Sequence, residues 1–219
     1  MELKRYAEAE IPTVHGPFRL IVYREASERD GCANLVCACE HMALVRGHIE
    51  GKANVLARVH SECWTSEVMG SLKCDCREQF HTAMERIAAE SMGVVVYLRQ
   101  EGRGIGLGNK VRAYALQNSG ADTVEANLAL GFEADARSYD IAGSILRDLD
   151  VKSVRLLTNN PLKVKGLEDA GVIVASREAH WVGENQHNAS YLAVKRRKMG
   201  HHADTGTAIS SLLKVVREK

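Results

Sequence analysis

Apolar residues fall into two rhythms along this chain. Near the N-terminus they form short β-rich runs, Phe18-Arg19-Leu20-Ile21-Val22-Tyr23 and Val55-Leu56-Ala57-Arg58-Val59, which predict a small sheet. From Glu78 to Glu90 the spacing changes. Phe80, Met84, Ile87 and Ala88 recur at helical intervals, with Gly93 as the stop. The continuous run Val94-Val95-Val96-Tyr97-Leu98 suits a strand covered on both faces. A glycine-rich loop follows, then predicted helices over 109–118 and 138–149. Val154-Arg155-Leu156-Leu157 reads as another buried strand, and Thr158-Asn159-Asn160-Pro161 opens a helix with Asn160 as N-cap and Pro161 at its first position. Gly171 ends that helix before a strand at Val172-Ile173-Val174. Such alternation predicts an α/β fold: one three-layer α/β/α domain with a mixed, largely parallel sheet and an N-terminal β-rich part. The domain is expected over 1–200, with 201–219 as a tail. Within it Ile209, Leu212, Leu213 and Val216 form a helical stripe that covers either the domain body or a partner subunit.

Composition narrows the function classes. The 219 residues are 45% hydrophobic and 26% charged, with a formal charge of +1, an ordinary globular profile. No global field attracts nucleic acid, so an anionic partner must be held by local basic groups. The start, Met-Glu-Leu-Lys-Arg-Tyr, carries no apolar core of a secretory signal, and the longest apolar runs are far short of a membrane span. A cytoplasmic, reducing setting is expected, with the six cysteines as thiols or thiolates.

Three of those thiols, Cys63, Cys74 and Cys76, lie close together in Arg58-Val59-His60-Ser61-Glu62-Cys63 and Lys73-Cys74-Asp75-Cys76. In a reducing compartment this spacing points to zinc before a disulfide set. Cys74 and Cys76 are expected to face one side of an extended segment. Three protein ligands leave a tetrahedral zinc an open corner for water, whereas a fourth, His60 or His81, would close the site and make it structural. Cys32, Cys37 and Cys39 form a second cluster, read either as another metal site or as buried strand packing. His60-Ser61-Glu62 also matches the H-x-E pattern of zinc nucleobase deaminases, but Cys74-Asp75-Cys76 lacks the P-C-x-x-C that accompanies it.

A second constellation is Arg99-Gln100-Glu101-Gly102-Arg103-Gly104-Ile105-Gly106-Leu107-Gly108-Asn109-Lys110. Backbone N–H groups of a loop that opens a helix suit an anion, with Arg99, Arg103, Lys110 and Arg112 adding charge. The glycines fit neither G-x-G-x-x-G nor a P-loop, so they also read as turn formers. Glu101 offers a carboxylate for the N1–H and amino group of a guanine-type base. Asp135-Ala136-Arg137 alone reads as a solvated pair. Thr158 to Lys163 places a strand end at a helix start, a common ligand position in open α/β sheets.

Together, Arg58 to Cys63, Ser71 to Cys76, Arg99 to Arg103 and Leu156 to Pro161, in this order, resemble GTP cyclohydrolase II over about Val55 to Gly200. The resemblance implies a zinc-dependent enzyme of riboflavin synthesis. It opens the imidazole of GTP, releases formate and pyrophosphate, and leaves a diaminopyrimidinone ribosyl phosphate. It implies Cys63, Cys74 and Cys76 as zinc ligands. Arg58, Val59, His60, Ser61, Glu62, Gln79, Glu101, Gly102, Arg103, Thr123, Thr158 and Lys163 match positions that hold GTP. Tyr114 matches a tyrosine of the ring-opening steps, Asp135 the proton acceptor and Arg137 the nucleophile at the α-phosphorus. Magnesium on the triphosphate and a homodimer are implied as well. Trp64, Ser66-Glu67 and Arg77 depart from the family's usual residues without removing a ligand. Other readings are a relative that opens the ring but keeps the formyl group, and a non-catalytic guanine-nucleotide-binding homologue with structural zinc.

Overall fold

A computed structural model describes residues 3–25, 40–120, 122–133, 137–198 and 200–201. Among the described residues seven strands form one sheet in the order β1-β2-β3-β5-β4-β6-β7. The first three, β1 (Leu3–Thr13), β2 (Gly16–Glu25) and β3 (Glu40–Arg46), run antiparallel, and β3 pairs antiparallel with β5 (Gly93–Leu98). β5, β4 (Val55–Ser61), β6 (Val154–Leu157) and β7 (Val174–Glu178) are mutually parallel. The expected mixed α/β architecture is therefore present, with its antiparallel part at the N-terminus.

Strand alternation sorts the core into two layers. The helices are α1 (Trp64–Glu67), α2 (Cys76–Ala89), α3 (Gly106–Asn118), α4 (Thr123–Ala129), α5 (Asp140–Asp148), α6 (Pro161–Asp169) and α7 (Ala189–Lys198). Val55, Ala57 and Val59 of β4, with Val94, Val96 and Leu98 of β5, pack against Ala142, Ile145, Leu146 and Leu149 of α5 and its flank, and against Leu167 of α6. Leu56 and Val95 face the other way, onto Ala83, Met84 and Ile87 of α2. By the same alternation Arg58 and His60 lie on the α2 side of β4, and that is where the site forms.

Several boundaries move from their expected places. Gly93 does not stop α2; the helix ends at Ala89 and Gly93 begins β5. A Cβ there would lie 2.6 Å from the Leu56 carbonyl oxygen, so close strand approach requires the glycine. The last strand is not Val172 to Val174 but Val174 to Glu178, where pairing with β6 continues. β1, α1, α4 and α7 carry weak periodicity and had no sequence signal. The cap was legible: Asn160 Oδ1 accepts from the Leu162 N–H at 2.9 Å, with Pro161 at the first turn. Cys32, Cys37, Cys39 and the stripe from Ile209 to Val216 lie outside the described residues.

Candidate active site

The C-terminal ends of the four parallel strands open into one crevice, the position where open α/β sheets hold ligands. Its cavity is about 500 Å³. β4 delivers Arg58, His60 and Ser61, and the turn after it Cys63; β5 leads to Glu101, Gly102 and Arg103; β6 leads to Thr158, Asn159 and Asn160; β7 leads to His180 and Trp181.

On one wall Cys63, Cys74 and Cys76 converge, their sulfurs all within 4.8 Å of one another and the Cys63 and Cys74 sulfurs 3.6 Å apart. Tetrahedral zinc with bonds of about 2.3 Å needs sulfurs about 3.8 Å apart, so this trio fits the ion and its preference for thiolate donors. Cys74-Asp75-Cys76 is not the expected extended segment. Cys76 begins α2 and Asp75 has φ −105° and ψ 13°, so a helix start, not strand alternation, turns both sulfurs inward. Neither proposed fourth ligand joins them. His60 Nε2 bonds the Glu67 carboxylate at 2.8 Å, and His81 Nδ1 faces His15 Nε2 at 3.3 Å. Among the described residues no histidine or carboxylate completes the cluster.

The electrostatics favour one thiolate first. Hydrogen bonds from Cys74 and Cys76, with help from the Lys110 ammonium, hold the Cys63 thiol far below its usual value, while bonds with Cys63 and Cys74, and burial, push Cys76 up. Burial works against the Lys110 ammonium, but the Cys63 charge and the Glu101 carboxylate outweigh it and hold its pKa above the ordinary lysine value. Tyr114 stands beside the trio, its hydroxyl 3.4 Å from Thr65 Oγ1, which lies 3.8 Å from Cys63 Sγ. Burial pushes the phenol up to about 12, so it remains protonated near neutral pH.

The floor is cationic and buried. Arg58, 5% exposed, donates to the Leu157 carbonyl at 2.7 Å and to Gln79 Oε1 at 2.5 Å. Burial lowers its pKa to about 10, which leaves it charged. Lys163 Nζ donates to the Val59 carbonyl at 2.7 Å. His180, which the sequence did not single out, donates its backbone N–H to Asn159 Oδ1 at 2.9 Å and places Nε2 2.8 Å from the Gln79 carbonyl. Burial, then the Arg58 charge, holds this imidazole well below its usual pKa. Arg58 Nε, His60 Nδ1, Ser61 Oγ and His180 Nδ1 are buried with no hydrogen-bond partner among the described residues, and all four residues line the cavity. Clustered unsatisfied groups of this kind mark a place for polar ligand atoms.

The glycine-rich turn has an unusual backbone. Gly102 and Arg103 both have left-handed φ, 62° and 63°. A side chain on Gly102 would press Ile105 Cγ1 and Lys110 Cβ at 3.1 Å, so glycine is required there, whereas Arg103 carries the strain openly. Glu67 lies on the short α1, just after β4. Its carboxylate accepts from His60 Nε2, from the Cys63 N–H at 3.1 Å and from the Tyr97 hydroxyl at 2.6 Å.

A family model described as GTP cyclohydrolase II matches residues 4–179. The chain belongs to the GTP cyclohydrolase II family. Relatives named GTP cyclohydrolase-2 include that of Pectobacterium atrosepticum, 50% identical over 204 residues, 93% of this chain and 99% of that protein. The protein from Actinobacillus succinogenes is 47% identical over 201 residues, 92% of this chain and 88% of its own length. One solved structure, RibBX, a two-domain 3,4-dihydroxy-2-butanone 4-phosphate synthase from A. baumannii, is 24% identical. It covers 82% of this chain and 40% of that one at a TM-score of 0.44.

Most residues that the GTP cyclohydrolase II resemblance singles out line the crevice: Arg58, His60, Ser61, Glu62, Gln79, Glu101, Gly102, Arg103, Tyr114, Arg137, Thr158 and Lys163, with the three cysteines. Val59 does not; its side chain is in the core on the opposite face, and only its carbonyl meets the site, through Lys163. α4 begins at Thr123, whose side chain lies outside the described residues, as does Asp135 entirely. Lys73, His180, Trp181, His187 and Tyr191 also line the cavity. His180 and Trp181 were accessible to the rule that ligands gather past strand ends, once β7 is placed correctly. No helix is long and apolar enough to cross a membrane among the described residues.

Proposed function

We propose that this chain hydrolyses GTP with zinc on Cys63, Cys74 and Cys76, opening the imidazole ring and releasing formate and pyrophosphate. The product is a diaminopyrimidinone ribosyl phosphate, entering riboflavin biosynthesis. What carries the reading is the convergence of three cysteine sulfurs on the wall of a cavity that also holds Arg58, Arg103, Arg137 and Lys163. Family membership supplies the substrate. Magnesium on the triphosphate, a homodimer and a cytoplasmic setting belong to the same reading.

When bound, zinc supplies Lewis acidity that makes hydroxide available from water near neutral pH. The chain's own groups do the rest. Arg58, Arg103 and Lys163 draw the triphosphate, the arginines with planar donors suited to phosphate. Tyr114, protonated beside the trio, donates to the atom that gains charge as the ring opens. Ser61 Oγ, His60 Nδ1 and His180 Nδ1 offer hydrogen-bonding atoms that have no partner among the described residues. Arg137 attacks the α-phosphorus: a nitrogen–phosphorus bond forms, the bond to pyrophosphate breaks, and Asp135 takes the guanidinium proton. Water later cleaves the phosphoramidate. Thr123, Gln79 and Thr158 complete the substrate contacts.

One incubation of the zinc-loaded protein with GTP and magnesium tests this, with formate, pyrophosphate and ammonia measured in the same tube. Formate and pyrophosphate together are expected. An opened ring without formate indicates the formyl-retaining activity, ammonia indicates deamination, and unchanged GTP indicates a non-catalytic nucleotide-binding homologue. Cys74→Ser is expected to abolish formate release; a variant that binds no zinc yet releases formate at the normal rate refutes the zinc assignment.

A further inference from the structure

Glu101 is already engaged by the protein. Its Oε2 accepts from the Trp64 N–H at 2.7 Å, and its Oε1 accepts from the Gly102 N–H at 2.7 Å and from Lys110 Nζ at 2.7 Å. The side chain is 8% exposed. A carboxylate offers about four lone-pair sites, and three are taken here. A two-point contact with the N1–H and amino group of a guanine needs both oxygens, one donor to each. To make it, this carboxylate must release a donor that is itself poorly placed to find water.

The same three donors point to a task at the cysteine trio. Trp64 is the residue directly after the ligand Cys63, so Glu101 fixes the backbone on that side of the sulfur. Lys110, 12% exposed, bonds Glu101 and also reaches Cys63 Sγ at 3.0 Å. Three thiolates around a divalent ion leave a net negative charge, which one ammonium offsets at the nearest sulfur. The Gly102 turn brings the carboxylate to β5's end, and α3 brings the lysine from the opposite side. The two meet each other at 2.7 Å while each touches the Cys63 segment separately, the carboxylate at the Trp64 N–H and the ammonium at the sulfur.

We propose that Glu101 and Lys110 act as one positioning pair that holds Cys63 in metal-binding geometry. The inference rests on the zinc reading of the trio given above. Partners one shell out from a metal typically set affinity within about 10- to 100-fold.

The test is zinc affinity, measured by chelator competition on the full chain, for wild type, Glu101→Gln, Lys110→Gln and the double variant. Cobalt substitution reports the sulfur-to-metal charge-transfer band in parallel. Each single variant is expected to weaken zinc binding about tenfold and shift the cobalt band. The double variant should fall no further than the weaker single, because the two side chains work as a unit. Lys110→Arg should restore most of the affinity. Metal-free samples of all variants should melt close to the metal-free wild type, which separates metal positioning from general support of the fold. Single variants within twofold of wild type, or losses that multiply in the double, overturn the pair. So does a tenfold rise in KM for GTP in Glu101→Gln with unchanged zinc affinity, and so does a metal-free melting loss as large as the loaded one. If the wild-type chain itself binds no zinc, the zinc reading fails first, and the formate assay shows that independently.

Discussion

Glu67→Gln is a sharp test of how the site is braced. The native carboxylate is 13% exposed and receives three donors, from His60, Cys63 and Tyr97. A carboxamide offers one acceptor oxygen and one group that only donates. Its oxygen must stay at the Oε1 position, where two donors meet, so its NH2 turns toward the Tyr97 hydroxyl. Two bonds then lose their charge assistance, about 1 kcal/mol each, and the half-buried phenol loses its acceptor at about 1–3 kcal/mol. Relief of the carboxylate's own desolvation offsets part of this, leaving a net loss of about 2 kcal/mol. For a chain of this size that corresponds to a fall of roughly 4–8 °C in melting temperature. Burial and then Glu67 hold the Tyr97 phenol above its usual pKa, in line with a phenol that only donates. Urea unfolding of wild type, Glu67→Gln, Tyr97→Phe and the double variant, all metal-loaded at one pH, gives the coupling directly. Tyr97→Phe should cost at least about 1 kcal/mol less when made on top of Glu67→Gln than in wild type, because the carboxylate that needed the phenol is gone. A coupling energy below about 0.3 kcal/mol refutes the network, whatever the single variants do.

Two further outcomes concern the buried histidines and Gly183. His60 and His180 have folded pKa values below the ordinary histidine value, in both cases chiefly through burial. Between those depressed values and about 6.5 the unfolded chain binds more protons than the folded one, so stability is intact above about pH 6.5 and falls on acidification by up to about 1.4 kcal/mol per pH unit for each group. His180→Gln should flatten that fall between pH 6.5 and 5 in urea midpoints; an unchanged slope removes His180 as a contributor. Gly183 has φ +74°, and a Cβ there would lie 2.7 Å from Glu78 Cβ. Gly183→Ala should therefore cost about 1–3 kcal/mol and raise KM for GTP by displacing the segment that carries His180 and Trp181; a variant with unchanged melting and KM contradicts that coupling.

Some of this is readable because the information is local. Asn160-Pro161 announces a capped helix through two adjacent residues whose backbone preferences agree. The run Val94 to Leu98 announces a buried strand because both its faces must be apolar. Gly93 misleads because a glycine after a helix serves equally as a stop or as the point where two strands approach closely; only the Leu56 carbonyl distinguishes them. Cys74 and Cys76 group as expected but for a different local reason, since a helix start turns their sulfurs together in place of strand alternation. Asp135, Cys32, Cys37 and Cys39 lie outside the described residues, so their roles rest on the sequence alone.

The sequence by itself determined the class of fold, the cysteine trio and the family, because each is written in residue types at fixed spacing. Tertiary structure decided which groups share one cavity and which face each presents. Val59 and His60 are neighbours in the chain, yet one is sealed in the core and the other stands at the site, because successive strand residues point to opposite faces. Lys110 and His180 become part of the site only when segments far apart in sequence are laid side by side. Their contributions depend on distance and desolvation, which spacing along a chain does not encode.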